Sequence, residues 1–311
     1  MYFPFLRGKQ FELIALREFA ELLAECGQIC PIIEPVKESS TFFSTCELLI
    51  KNEVDFTVII NPKVGDFKKK VKKVYSNLFN PLIALGQFNT GIILQENINF
   101  AKVSEDLKNF GINERPIVFV VESLPEIEEL RKFNDNHNIK YIITDSEGSR
   151  KTLRTLKKVN KSLVVLSDPF NKLPRNKDYA KKPDEFFSDE HLYYKDDGFV
   201  GYSDFLTIGN EYLDKGYSPY AVAIHLTYFD ADHEFRIAHF VSKSNDDISD
   251  VAGKFGEAME KMIPFLDKFN IHTKASDEFR KLHKEGRYPG LGTVKKLSIL
   301  NHIELVRDYF V

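Results

Sequence analysis

Polar side chains follow each of a series of short apolar runs, and they are the residues of this sequence best suited to chemistry. The runs are rich in Ile and Val, as in CPIIEPV, FTVIINP and PIVFVVES. The polar residues at their ends are Glu34, Asn61, Gln95, Glu122, Asp145 and Asp168. Carboxylates that converge can hold a hard cation or move a proton. The pattern therefore indicates one polar site assembled from many segments.

Charged stretches with helical spacing separate most of these runs. This alternation is typical of parallel strands joined by helices. We predict strands at 2–6, 31–36, 56–61, 91–95, 117–121, 141–144 and 163–167, and an eighth within GFVGYSDF. Eight such units fit an α/β protein with a closed (β/α)8 TIM-barrel fold. An open doubly wound sheet is the alternative, although the Gly-rich first turn of dinucleotide-binding folds is absent.

The C-terminal part of the chain departs from this repeat. The segment 219–242 alternates apolar and polar residues on both sides of Asp230-Ala231-Asp232, which predicts an antiparallel hairpin. Helices are expected at 247–270 and 291–309, and the long polar segment 171–197 has only a helical hint at 184–191. We predict one elaborated domain, 1–311. Its core is 1–210 plus 243–270, with a hairpin insertion at 219–242 after strand eight and a C-terminal extension at 271–311.

Composition narrows the class of protein. The chain has 311 residues, 43% of them hydrophobic and 29% charged, with a net charge of −3. These values are ordinary for a soluble globular protein and give no global attraction to nucleic acid. Three cysteines suggest free thiols in a reducing compartment. Neither a signal peptide nor an apolar run of about 18 residues is visible, so we expect a cytoplasmic protein without a membrane partner.

Carboxylates at the strand ends predict a metal site. In a parallel barrel these ends share one face, where acids without partners repel each other and lose solvation. A divalent cation would relieve this, and oxygen ligands favour Mg²⁺ or Mn²⁺. The predicted ligands are Glu34, Glu122, Asp145 and Asp168. The alternative is that some acids cap helices or form turns, because Asp145 precedes a helix and Asp168 precedes Pro169.

Basic and polar residues at the same face predict a ligand site. Arg7 and Lys9 flank Gly8 after the first strand and could hold an anionic group, with Asn61 and Asp204 as further ligand-binding residues. The alternative is that Arg7 simply pairs with Glu34 across adjacent strand ends.

Two histidines are the candidates for proton transfer. His225 and His239 lie on the two strands of the predicted hairpin, and pairing about its turn would bring them together. They could equally be surface or packed residues. No HExxH, paired CxxC, Walker loop or GxSxG is present, which argues against the catalytic classes that carry those motifs.

The opening FLRGKQFELIALRE, followed by PIIEPV, resembles the phage beta-protein family and its bacterial relatives, as do GYSDF and LGTVKKLSILNHIELV. The resemblance implies a barrel-like protein of phages and mobile elements and draws attention to matching polar residues. These are Arg7, Lys9, Glu12, Glu34, Asp204 and His302. The chain also resembles the glycerophosphodiester phosphodiesterases at LRG, but Leu6 replaces their histidine and Glu34-Pro35-Val36 stands for their Glu-x-Asp pair.

Together these features predict an anionic, phosphate-bearing or nucleotide-like ligand at the barrel face and metal-assisted phosphoester hydrolysis. The alternative is a non-catalytic scaffold of a phage-defence or mobile-element system. In that case the hairpin and the final helix would bind a protein partner through apolar residues, namely Leu297, Ile299, Leu300 and Ile303. Basic residues of the 171–197 segment leave nucleic acid open as a partner. They are Arg175, Lys177, Lys181 and Lys182. The run KKKVKK is expected on a solvated helix face.

Overall fold

The computed structural model describes residues 1–69, 78–145, 149–214 and 219–311. They form two compact units. The barrel unit comprises Met1–Ser167 and Glu190–Asp204, and the hairpin unit comprises Asp168–Asp189 and Phe205–Val311. The single-domain boundaries drawn from the sequence stay a prediction.

The barrel unit is built on a closed ring of eight parallel strands, which confirms the predicted fold and makes the open-sheet alternative wrong. Seven strands are consecutive in the chain: β1 (Tyr2–Leu6), β2 (Ile32–Ile33), β3 (Thr57–Ile59), β4 (Asn89–Leu94), β5 (Ile117–Val121), β6 (Ile139–Asp145) and β7 (Leu163–Ser167). The eighth is β9 (Gly201–Asp204), which pairs with both β7 and β1 and so closes the ring. The strand between them, β8 (Asp184–Ser188), belongs to the other unit.

Helices follow most of the barrel strands. They are α1 (Gln10–Cys26), α2 (Ser40–Lys51), α3 (Asn80–Leu85), α4 (Phe100–Asn109), α5 (Ile127–Asn136), α6 (Arg150–Val159) and α7 (Glu190–Tyr193), with a 3-10 helix at Gly65–Lys69. Side-chain oxygens of Ser39, Asn99 and Ser149 accept backbone amides at the starts of α2, α4 and α6, which satisfies donors that a helix leaves unpaired. Most of the KKKVKK run lies outside the described residues.

The hairpin unit contains an antiparallel sheet of three strands. The predicted hairpin is confirmed as β10 (Ala223–Phe229) and β11 (Phe235–Val241), and β8 pairs with the free side of β11. The helical hint at 184–191 is therefore wrong over Asp184–Ser188, because pairing with β11 outweighs a weak local preference. The unit also has a 3-10 helix at Asn176–Lys181 and helices α8 (Val251–Lys268), α9 (Lys274–Lys284) and α10 (Leu291–Phe310).

Helices cover both faces of this sheet. Aromatic rings of Tyr228 and Phe240 pack on Phe265 of α8, while Phe235 packs on His302 of α10 from the opposite face. The four apolar residues of α10 that suggested a partner surface are all buried. They are core residues and offer no docking surface. None of the helices in the described ranges combines the length and apolar character that a membrane crossing requires.

Candidate functional site

The ends of β1 and β2 are tied together by an ion pair. The Arg7 guanidinium contacts the carboxylate of Glu34, whose side chain is fully buried. The second oxygen of Glu34 accepts the backbone amide of Lys63 at 2.7 Å, and the amide of Arg7 donates to Glu12 Oε2 at 2.8 Å. Lys9 lies at the N-cap of α1 and makes no side-chain cap hydrogen bond there. The pairing of Arg7 with Glu34, the alternative left open by the sequence, is therefore the one observed.

Asn61 and Asp204 stabilise the barrel. The side-chain amide of Asn61 donates to the carbonyl of Ile93 and accepts from its amide, both at 2.8 Å, so that it continues the β3–β4 ladder as a peptide group would. Asp204 is buried and accepts the Tyr2 hydroxyl at 2.7 Å. Burial, reinforced by the charge of Asp204, raises the pKa of Tyr2 well above its usual range. These contacts account for both residues without a ligand.

The four carboxylates predicted to bind a metal do not form one ligand set. Glu34 pairs with Arg7, whereas Glu122 contacts the Lys63 ammonium and accepts from Gln95 Nε2 at 3.1 Å. Asp145 is exposed at the end of β6. Asp168 belongs to the hairpin unit, where it accepts the backbone amide of Asn210 at 3.0 Å. Within the described part of the chain, no three or more His, Cys, Asp or Glu side chains are arranged to hold a metal ion.

His225 and His239 are brought together in the hairpin unit. They are directly paired residues of β10 and β11, and their Nδ1 atoms lie 2.8 Å apart. His239 Nε2 lies 3.2 Å from Oε1 of Glu185 on β8, so three strands supply a chain of carboxylate, imidazole and imidazole. The other oxygen of Glu185 is 3.3 Å from the Asn171 amide and 3.6 Å from the Lys182 ammonium.

The direction of this hydrogen-bonded chain follows from its chemistry. An ionised carboxylate only accepts hydrogen bonds, so Glu185 requires the proton of His239 to be on Nε2. Nδ1 of a neutral His239 is then an acceptor, and Nδ1 of His225 must donate to it. The lone pair of His225 is then on Nε2. That nitrogen makes no hydrogen bond to any described residue. Because His225 is only partly buried, that lone pair is the outer end of the chain.

Aromatic rings surround the two histidines. The Tyr179 ring lies 4.6 Å from the His225 ring and 4.7 Å from the His239 ring, and Phe170 lies 5.1 Å from His225. Burial lowers the pKa of His225 to about 3, with a further contribution from His239. Burial also lowers the pKa of His239, although Glu185 opposes this. Both imidazoles are consequently neutral at pH 7, as the direction of the hydrogen bonds requires.

Three residues of these sites were missed by sequence reasoning. Glu185 was hidden in a segment with a helical hint, and its approach depends on a long-range strand pairing. Tyr179 stands among the basic residues of the 171–197 segment, and nothing in the sequence there indicates a position beside the histidines. Lys63 stands two residues beyond Asn61 at a strand end, and that position was its one available signal.

The solved structures named in this paragraph are distantly similar to this chain. Neither a family model nor a curated protein matches the chain. A solved tryptophan synthase from M. tuberculosis is 10% identical with a TM-score of 0.39, over 66% of this chain and 82% of that one. N-acetylneuraminate lyase from Mycoplasma synoviae is 12% identical with a TM-score of 0.39, over 66% and 68%. A truncated 3-deoxy-D-arabino-heptulosonate 7-phosphate synthase from Thermotoga maritima is 13% identical with a TM-score of 0.35, over 65% and 74%. We draw no functional conclusion from similarities this weak.

The predicted metal-assisted phosphoester hydrolase is wrong. Its four ligands are divided between two units and engaged with other groups, and Arg7, its main anion-binding residue, is occupied by Glu34. The anionic molecule and the protein partner expected from the sequence stay predictions. The apolar helix residues named for the protein partner are buried. The binding of Mg²⁺ or Mn²⁺ stays a prediction.

Proposed function

We propose that this protein is an acid–base catalyst in which Nε2 of His225 removes a proton from an uncharged substrate. The observation that carries the proposal is the chain from Glu185 through His239 to His225, with hydrogen bonds of 3.2 and 2.8 Å. A general base needs a lone pair that is held in place and is not already protonated. The direction of these hydrogen bonds provides both.

Glu185 stabilises the protonated form of the base. When His225 accepts a proton, positive charge develops on the paired imidazoles, and the carboxylate at the far end of the chain stabilises it. The pKa of His225, lowered to about 3 by burial, leaves Nε2 unprotonated at pH 7 but makes it a weak base, so the substrate must carry an acidic proton. The rings of Phe170 and Tyr179 beside His225 favour an uncharged, partly apolar substrate over a strongly hydrated ion.

The Kemp elimination of 5-nitrobenzisoxazole tests the proposal, because this neutral aromatic probe needs only the removal of one proton. We expect the full chain to accelerate it and H225Q to lower the rate by about a hundredfold, a typical contribution of a positioned base. E185Q, which keeps the side-chain size but removes the charge, should also lower the rate. H272Q serves as the control because His272 is exposed. Equal rates for H225Q and H272Q would contradict the proposal.

Nitrogen NMR of the histidines provides a second readout. We expect His225 to be protonated on Nδ1 and unprotonated on Nε2 at pH 7, and E185Q to disturb this arrangement at His239. The opposite tautomer of His225 would leave no lone pair at the outer end of the chain and would exclude it as the base.

We also propose a reducing, cytoplasmic environment for this protein. Its cysteines support this, because Cys26, Cys30 and Cys46 are all free thiols. Membership of the phage beta-protein family, to which the sequence resemblance points, stays a prediction.

A further inference from the structure

A groove between helices α4 and α5 of the barrel unit holds a serine beside a histidine. Its volume is about 430 Å³, and its lining includes Phe100, Ser104 and Lys108 of α4, Phe133 of α5, and His137, which follows α5 directly. The hydroxyl oxygen of Ser104 lies 3.4 Å from Nε2 of His137. A nucleophile and its base are often this far apart before a substrate binds.

The carbonyl of Phe133 fixes the tautomer of His137. Its oxygen lies 3.0 Å from Nδ1 of His137, and because a carbonyl only accepts hydrogen bonds, the proton of the neutral imidazole is on Nδ1. Nε2 is then an acceptor, and its partner among the described residues is the Ser104 hydroxyl. The His137 ring also stacks on the Phe133 ring, with centroids 3.9 Å apart and 9° between the planes. Both contacts hold the imidazole with its lone pair towards the serine.

The end of α5 favours a positive charge on His137. This residue is the C-cap of the helix, where the last carbonyl groups carry partial negative charge. An imidazolium formed there is stabilised, which is the part that a carboxylate plays in a catalytic triad. Lys108 lies one turn after Ser104 on α4 and brings a positive charge to the same groove, where it would stabilise an oxyanion.

We propose that Ser104 is a nucleophile, activated by His137, that hydrolyses a small carboxylic ester bound in this groove. Nε2 takes the hydroxyl proton while the serine oxygen bonds to the carbonyl carbon of the ester. The alkoxide leaves with that proton when the tetrahedral intermediate collapses to an acyl-serine. A water molecule, deprotonated by the same nitrogen, then attacks the acyl-serine, releases the carboxylic acid and restores Ser104. The net reaction of ester and water to acid and alcohol needs neither an oxidant nor a reductant.

The simpler interpretation is that His137 only caps α5 and that Ser104 only packs against it. The two interpretations differ in the reactivity of Ser104, because a serine without a base reacts no faster than other accessible serines. Ser149 is the reference for such a serine. It is exposed, and its hydroxyl lies 3.0 Å from the hydroxyl of Thr152.

The experiment treats the full chain with a fluorophosphonate, which phosphonylates activated serines, and measures the labelling rate of each serine by peptide mass spectrometry at pH 8. We expect Ser104 to be labelled at least about a hundredfold faster than Ser149, the contribution of a positioned base. H137Q keeps a donor for the Phe133 carbonyl but has no base, so it should remove this difference. The full chain should hydrolyse 4-nitrophenyl acetate faster than S104A does, and S149A is the matched control with an unchanged rate.

Two outcomes would overturn the inference: labelling of Ser104 no faster than that of Ser149, or equally fast labelling of Ser104 in H137Q. Neither bears on the proton-transfer proposal, because the Kemp elimination needs no nucleophile. H225Q should accordingly leave the labelling of Ser104 unchanged.

Discussion

At the scale of single residues, the same polar atoms could have built a ligand site or a stable fold, and local geometry decides between them. Asn61 pairs with both hydrogen-bonding groups of Ile93, so one donor and one acceptor of its side-chain amide are used by the backbone. His225 differs, because only one of its nitrogens is used. The sequence singled out Asn61 by its place after a strand and His225 by its place in the hairpin. The hydrogen bonds that each side chain makes distinguish their roles.

The histidine pair predicts that acid destabilises the hairpin unit. The pKa of His225 falls from 6.5 to about 3 on folding, and that of His239 also falls. Between these values the unfolded chain binds more protons than the folded one. The stability that depends on neutral histidines is therefore complete above about pH 6.5 and is lost as the pH falls below it.

We expect H225Q to reduce the slope of the unfolding free energy between pH 4 and 6 by up to about 1.4 kcal/mol per pH unit, the effect of one proton. The measurement is urea unfolding followed by circular dichroism, because the chain has no tryptophan. H272Q is again the control. Acidic groups also contribute to this slope, so the comparison is between the slopes of the two variants. Equal slopes would show that His225 is not held neutral by folding.

At the scale of elements, the sequence predicted best those strands whose own residues indicate a strand. The strands β1, β5 and β7 were predicted with their observed bounds, because each is a continuous apolar run buried between neighbours. In contrast β8, with the sequence DEFFS, became a strand only by pairing with β11, some fifty residues later. The hairpin register was predictable from its turn, so His225 and His239 could be paired, but the approach of Glu185 could not.

Helix α10 is fixed by a buried polar network rather than by apolar contacts alone. Asn301 is fully buried, donates to the carbonyl of Thr227 at 2.8 Å and lies 2.9 Å from the Thr273 hydroxyl. It therefore joins α10 to β10 and to the start of α9. The segment LSILNHIELV, which forms part of the sequence resemblance, therefore serves to pack α10 against its neighbours.

We expect N301A to lower the free energy of unfolding by about 2–3 kcal/mol, because it leaves the Thr227 carbonyl and the Thr273 hydroxyl buried with one partner fewer. Chemical denaturation measures the effect. N136A is the matched control, since Asn136 is exposed and bonds only within α5; its effect should stay within about 0.5 kcal/mol. A loss for N301A no larger than that of the control would mean that the network does not stabilise α10.

At the scale of the whole molecule, the sequence predicted the closed barrel but not its division from a second compact unit. Closure follows from eight repeats of strand and helix, each of which is visible locally. The division depends on which distant segments contact one another: Asp168–Asp189 leaves the barrel to join a sheet formed mainly by residues beyond 220. The segment 171–197 is polar, but its polarity does not distinguish a long barrel loop from the start of a second unit.

Each unit contains one glycine whose replacement by alanine should reveal how tightly that unit is packed. In the barrel unit, a Cβ on Gly91 of β4 would lie 2.5 Å from Ile59 Cδ1 and 2.8 Å from Thr57 Cγ2. In the hairpin unit, a Cβ on Gly256 inside α8 would meet nothing within 4 Å. We expect G91A to destabilise by about 1–3 kcal/mol through overpacking and G256A to stabilise by about 1 kcal/mol through helix propensity. Thermal and urea unfolding of the full chain measure both changes in stability, and each variant is the control for the other.

A stabilising G91A would mean that β3 and β4 do not approach as closely as the closed ring requires. A destabilising G256A would mean that the space beside α8 is filled.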